Sequence, residues 1–187
     1  MALARQALEA GKDDADTLWM AGHTLSLFAG ERAVGAAAID GALALNPNSA
    51  HAWMARGYAS LFFDQPGPAI EALERAMRLS PLDHLRRAFT NGIAVAHLEA
   101  SRYEEALDWA DRTLREEPGY RGALINKVVA CAHLDRIEDA RSTLCLLIES
   151  LPGLTIAGYR ALWARAHSPE RTAIVVNGLR KAGLPEE

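Results

Sequence analysis

Aromatic residues make up only 6% of this 187-residue chain, few for a domain built on one large globular core. Cysteine is nearly missing as well: Cys131 and Cys145 lack any CxxC spacing, which excludes a disulfide framework. Reduced core thiols are the expectation, and they fit a cytoplasmic setting. Positive charge is not in excess either. Twenty Lys and Arg against 24 Asp and Glu leave a formal charge of -4, so this segment has no electrostatic means of gathering nucleic acid. Its densest basic spot, "HLRR" at 84–87, is too small for a binding face. No run approaches the roughly eighteen consecutive apolar residues of a membrane span. The opening "MALARQALEAGKDD" contains no signal-peptide core. Strand signals are absent too: there is no sustained alternation, and no Asn-Gly or Asp-Gly joins two strand-like runs.

What the chain does contain is apolar residues returning every three or four positions, which predicts an all-α fold. Helices are expected at 1–10, 15–29, 32–45, 50–63, 66–79, 84–100, 103–116, 121–134, 137–149, 154–165 and 169–182. "SRYE" (Ser101, Glu104) and "DRIE" (Asp135, Glu138) have the spacing of capping boxes. Pro66 and Pro169 suit a first helical turn, where the missing N–H costs nothing. Gly30 suits a left-handed cap between two helices.

The prolines carry a period. Pro47 and Pro81 lie 34 residues apart, as do Pro118 and Pro152, while Pro81 and Pro118 are separated by 37. Ala69, Ala106 and Ala140 each precede one of the last three prolines by twelve. A helical hairpin repeated every 34 residues resembles the tetratricopeptide repeat family. The second unit is nearly complete, with Trp53, Gly57, Tyr58, Ala69, Leu73, Ala76 and Pro81. The first offers Trp19, Ile39, Ala42 and Pro47, but His23 takes the family glycine position and Gly35 replaces the usual alanine. Ala94, Ala106, Ala110 and Pro118 mark the third, with Thr113 in place of alanine. Leu124, Val128, Ala140, Leu144, Leu147 and Pro152 mark the fourth, which is the loosest match.

The resemblance implies a superhelix of antiparallel helical hairpins. Four units are expected within 14–153, at about 16–49, 50–83, 87–120 and 121–153. Residues 1–13 are expected to be the second helix of a preceding unit whose first helix is missing, and 154–187 a pair of C-terminal capping helices. Small residues such as Gly57, Ala69, Ala76, Ala106 and Ala140 would let paired helices approach, while Trp19, Trp53 and Leu73 fill the wider gaps. A buried Trp53 would cost about 3–5 kcal/mol to truncate to alanine.

In the family, ligand contacts come largely from the second, fifth, ninth and twelfth positions of each first helix. The resemblance places these at Thr17, Met20, Thr24 and Leu27, then at His51, Met54, Tyr58 and Leu61. The third unit supplies Ala88, Asn91, Val95 and Leu98, and the fourth Gly122, Ile125, Val129 and Ala132. This face is mostly apolar. Met20 and Thr24 stand where members that grip a peptide carboxylate have lysine and asparagine. An amphipathic helix or an extended segment suits the face better. An attached domain or a second copy of the array would cover it equally well, and packing between neighbouring helices is the plainest alternative.

Beyond Pro152, "PGLT", "RALW" and "GLRKAGLPE" resemble the end of bacterial proteins in which repeats follow a class III adenylate or guanylate cyclase domain, or a winged-helix regulator. The resemblance implies a regulatory or partner-contacting role for the repeats. Chemistry is hard to find here. No GxxxxGK[ST] or HExxH is present, and the carboxylates of "YEEAL" and "ESLP" read as solvated helix faces. His23, His51, His84, His97, His133 and His167 are scattered, although His97, Cys131 and His133 fall where adjacent first helices would meet. Satisfied helix-face residues explain them, so neither a metal nor a cofactor is expected. The leading reading is a non-enzymatic protein-binding scaffold with no membrane contact; a homodimerisation segment and an enzyme on a helical fold are the rivals.

Overall fold

The computed structural model describes residues 2–163 and 168–187. Within them lie eleven α-helices and no strand. In order these are α1 (Ala2–Ala10), α2 (Ala15–Thr24), α3 (Arg32–Leu45), α4 (Ala50–Phe62), α5 (Pro66–Leu79) and α6 (Arg86–Glu99), followed by α7 (Tyr103–Glu116), α8 (Arg121–His133), α9 (Ile137–Ser150), α10 (Ile156–Trp163) and α11 (Pro169–Ala182). The expected ends hold to within two residues for the helices that do not meet an undescribed stretch, once the π-helical turn described below is counted with α2. The last two residues expected of the tenth helix lie outside the described residues, as does Met1.

Helix ends follow local chemistry. Pro66 and Pro169 open α5 and α11. Side-chain oxygens of Asp14, Ser49 and Ser168 accept first-turn amides of α2, α4 and α11. The expected capping boxes do not form. Ser101 and Asp135 have φ of 56° and 57°, and the N-cap residues just before α7 and α9, Arg102 and Arg136, make no side-chain cap. Each left-handed residue closes the preceding helix instead. The next amide returns to the carbonyl five residues back, from Arg102 to His97 and from Arg136 to Cys131, both at 2.9 Å. That is the Schellman arrangement, which spends the Ser and Asp at a C-terminus. Asp64 (φ 55°) does the same with Gln65 and Ser60. Gly30 (φ 71°) also takes the left-handed conformation. Left-handed turns therefore recur at 30, 64, 101 and 135, with the spacing of the prolines.

After Thr24 the helix widens into a π-helical turn, Leu25–Ala29. This accounts for glycine where the second helix usually carries alanine. A Cβ on Gly35 would collide with the Ser26 hydroxyl and the Gly22 carbonyl, and Ser26 is fully buried there.

The chain divides into two compact units, one reaching to Gly92 and the other starting at Ile93. In the first, α2 packs on α3 and α4, and α4 on α5. Leu18, Ala42 and Ala52 form one small core, joined by Leu8 of α1, while Ile39, Ala55 and Ala59 form another. In the second, a single larger core runs from Leu98 through α7, α8 and α9 to Leu184. Ala69, Leu73, Ala76, Ala106 and Ala140 are fully enclosed. Trp53 is only half-buried. Its indole N–H donates to the Pro47 carbonyl at 2.8 Å, and the Arg75 guanidinium lies 4.7 Å over the ring, so the full cost of losing an enclosed aromatic does not apply. Leu162 is likewise outside the core, at 66% exposed.

Gly57 shows how tight the α4–α5 approach is. A Cβ there would sit 2.5 Å from Leu73 Cγ and 3.2 Å from the Ala69 carbonyl oxygen. Gly57→Ala should lower the unfolding free energy by about 1–3 kcal/mol, as overpacking does. Asp64→Gly, which relieves a left-handed side chain, should raise it by up to about 1 kcal/mol. Urea unfolding followed by circular dichroism measures both.

Candidate protein-binding face

The first helices of the N-terminal unit, α2 and α4, together with the start of α6, bring part of the expected face together. Met20 is 49% exposed. Thr17, Thr24, Leu27, His51 and Tyr58 are half-buried, and Met54, Leu61 and Asn91 are buried. Thr24 Oγ1 donates to the Met20 carbonyl at 2.7 Å, one turn above the π-helical segment. The wider turn rotates the side chains it carries away from ordinary helical register, and Phe28, not expected from the repeat positions, emerges 60% exposed. No letter in the sequence announces a π turn, so this residue had no signal.

Rings and polar groups connect these helices. The Tyr58 hydroxyl donates to the Ala88 carbonyl at 2.8 Å, and Asn91 Nδ2 reaches the same hydroxyl at 3.5 Å. His23 meets Tyr58 edge-on at 5.7 Å, and Trp19 lies 5.4 Å from His51. His51 in turn faces Asp83, with Nε2 3.3 Å from Oδ1. Burial works to raise the Asp83 carboxyl. The Leu85 amide and the His51 and Ser80 side chains outweigh it, so the carboxyl sits below its usual range.

In the C-terminal unit the expected positions are covered by the chain's own last helix. Val95, Leu98 and Val129 are buried, and Ile125 is half-buried. Helix α11 lies on α8 so closely that a Cβ on Gly178 would be 2.9 Å from Val129 Cα. Ile174 and Val175 line a small recess with Val95, Leu98 and Asn126. At one end of α11, Arg171 pairs with Glu99 at 3.4 Å, with little solvent on either side chain. Toward the other, Lys181 reaches the Ala132 carbonyl. The tail closes on itself as well: amides of Ile156 and Ala157 at the start of α10 donate to the Pro185 and Glu186 carbonyls. Neither the Arg171–Glu99 pair nor the tail closure was visible in the sequence, since both join residues distant in the chain.

His97, Cys131 and His133 do not gather as ligands. His133 stacks on Tyr103 at 4.5 Å, its Nε2 3.0 Å from the Ile174 carbonyl oxygen. Cys131 is buried, which pushes its thiol up despite Lys127. His167 lies outside the described residues.

With this geometry established, comparison with known proteins gives the fold. PilW, a widely conserved type IV pilus biogenesis factor, matches with a TM-score of 0.74 over 97% of this chain and 79% of its own, at 13% identity. Pseudomonas aeruginosa PilF gives 0.70 over 96% and 81%, at 16% identity. YrrB, a TPR protein with an unusual peptide-binding site, gives 0.61 over 95% and 91%, at 17% identity. The fold is tetratricopeptide-like. At these identities the likeness speaks for the fold alone. The family model of the coatomer epsilon subunit matches residues 84–150. No curated protein matches the chain in sequence. No helix among the described residues is long and apolar enough to cross a membrane.

One group on the face titrates in an informative direction. Desolvation lowers the pKa of His23, whose buried Nδ1 has no hydrogen-bond partner. A base with a depressed folded-state pKa binds its proton more readily when unfolded. Its contribution is therefore present above the unfolded value of about 6.5 and is lost as pH falls through it. Melting temperature should drop between pH 7.5 and 5.5, and His23→Gln should flatten that part of the profile.

Proposed function

We propose that this chain is a non-catalytic protein–protein interaction scaffold whose first-helix face in the N-terminal unit takes an amphipathic helix or peptide. The observation that carries this reading is α11. At the corresponding positions of the C-terminal unit, Val95, Leu98 and Val129 already pack under a helix that presents Ile174, Val175 and Gly178. The N-terminal unit offers related chemistry without burying it all: Met20 and Phe28 are exposed, Leu27 is half-buried, and Thr24 and Tyr58 supply polar edges. Exposed apolar side chains bordered by polar ones suit an apolar helix face with polar flanks. The peptide-binding site described for YrrB is consistent with such a use of this fold.

The tail residues, "PGLT", "RALW" and "GLRKAGLPE", support a finer proposal: the scaffold serves as the regulatory region of a larger bacterial signalling protein such as an adenylate cyclase. Sequencing the reading frame upstream of this segment tests that part.

Selection from a displayed library of amphipathic helical peptides tests the binding face. Peptides recovered on the wild-type chain should lose at least about tenfold in affinity, or 1.4 kcal/mol, on Met20→Glu. The substitution places charge at a half-exposed site, so circular dichroism should be unchanged. Binding indifferent to Met20→Glu would overturn the proposal. So would light scattering showing a stable dimer that Met20→Glu dissociates, which would assign the face to a second copy instead.

A further inference from the structure

His51, Asp83 and His84 come from two places in the N-terminal unit. His51 stands in the first turn of α4, while Asp83 and His84 belong to the turn between α5 and α6. One donor atom from each lies within 4.8 Å of the other two. His51 Nε2 is 3.3 Å from Asp83 Oδ1, and His84 Nδ1 is 3.5 Å from the same oxygen. The two imidazole planes stand at 82° with their centroids 5.9 Å apart.

We propose that His51, Asp83 and His84 form a binding site for a divalent transition-metal ion of the zinc type, with a further coordination position open to solvent. Two imidazole nitrogens and one carboxylate are a donor set zinc accepts in three-ligand sites that keep an open position. Imidazole nitrogen also favours zinc and its neighbours over magnesium or calcium. The spacing fits. Ligands at about 2.0–2.1 Å from a tetrahedral zinc stand about 3.3 Å from one another, close to the two nitrogen–oxygen separations just given. An ion can therefore replace the hydrogen-bonding proton with little movement of the carboxylate.

The surroundings hold that geometry. Asp83 Oδ1 accepts the Leu85 amide at 2.8 Å, and the Asp83 side chain is only 9% exposed, so the carboxylate is fixed before any ion arrives. Trp19 packs beside the His51 ring at 5.4 Å. Such outer contacts orient ligands and raise affinity. His84, 78% exposed, supplies the adjustable ligand and the route to solvent. The rival account is a plain His51–Asp83 ion pair that fastens α4 to the α5–α6 turn. In that account His84 has no part, and this separates the two.

The test uses the untagged full chain. Zinc is titrated by calorimetry, and cobalt(II) by visible absorption, whose intense ligand-field bands report a four-coordinate site. One ion per chain is expected, with a rise in melting temperature when zinc is added. His84→Ala and His51→Gln should each weaken zinc binding by more than about tenfold, the lower bound for losing even an outer-shell partner. His84→Ala alters an exposed side chain, so it reports on binding even if His51→Gln disturbs the fold. Zinc affinity equal to wild type in His84→Ala, or cobalt bands missing from the wild-type chain, would overturn the proposal. Neither result bears on peptide capture at Met20.

Discussion

Close approach between paired helices is the constraint on which the remaining architecture depends. Where Gly57 faces Leu73 and Ala69, there is no room for even one more methyl group. Antiparallel helices held that near bury their facing sides but leave a second apolar side uncovered. A hairpin in this condition is unstable alone and needs a neighbour. In the N-terminal unit α2, α3, α4 and α5 answer this need in succession. At the other end the same need is met differently: α11 lies along α8, and Gly178 permits the contact with Val129. The last helix thus uses up apolar surface that the preceding hairpin would otherwise present.

This difference between the ends shapes the functional reading. A face built from first helices is chemically suited to receive a helix, because its apolar positions repeat at helical spacing. In the C-terminal unit the recipient and the received helix belong to one chain, locked at one end by the Arg171–Glu99 pair. Breaking such a pair leaves a poorly solvated charge behind, which favours keeping α11 in place. In the N-terminal unit Met20 and Phe28 keep contact with solvent. The π-helical turn contributes by re-aiming Phe28 while Ser26 is drawn in over Gly35. One wide turn therefore changes both the packing of the first hairpin and the surface it shows.

Much of the helix layout was legible because its determinants are local. Proline marks a helix boundary, opening α5 at Pro66 and following the ends of α3, α5 and α7 at Pro47, Pro81 and Pro118. Apolar spacing shows which side is buried, so limits such as 32–45, 66–79 and 103–116 coincide with α3, α5 and α7. The capping boxes at Ser101 and Asp135 were misread for an equally physical reason. A residue with a short polar side chain serves an N-terminus or a left-handed C-terminus, and the choice depends on whether the next amide can reach back to His97 or Cys131. Trp53 was expected to be enclosed but rests beneath Arg75, since the volume available to it is set by helices distant in sequence. Of the expected binding face, Met20 is exposed and Thr24 half-buried on α2, whereas Met54 and Leu61 are buried, a difference set by the helices packed around them and not by their place in the repeat.

By itself the sequence determined that this chain is helical throughout, where its helices stop, and that small residues recur at spacings of 34 and 37 residues. These properties are settled by each residue's own backbone preferences and by neighbours within a turn or two. Only the tertiary structure decided that α11 covers Val129, that Phe28 faces outward, and that Asp83 meets His51 across 32 residues of chain. Such meetings depend on the angle and separation at which whole helices pack, and those are sums over many contacts that no local stretch contains.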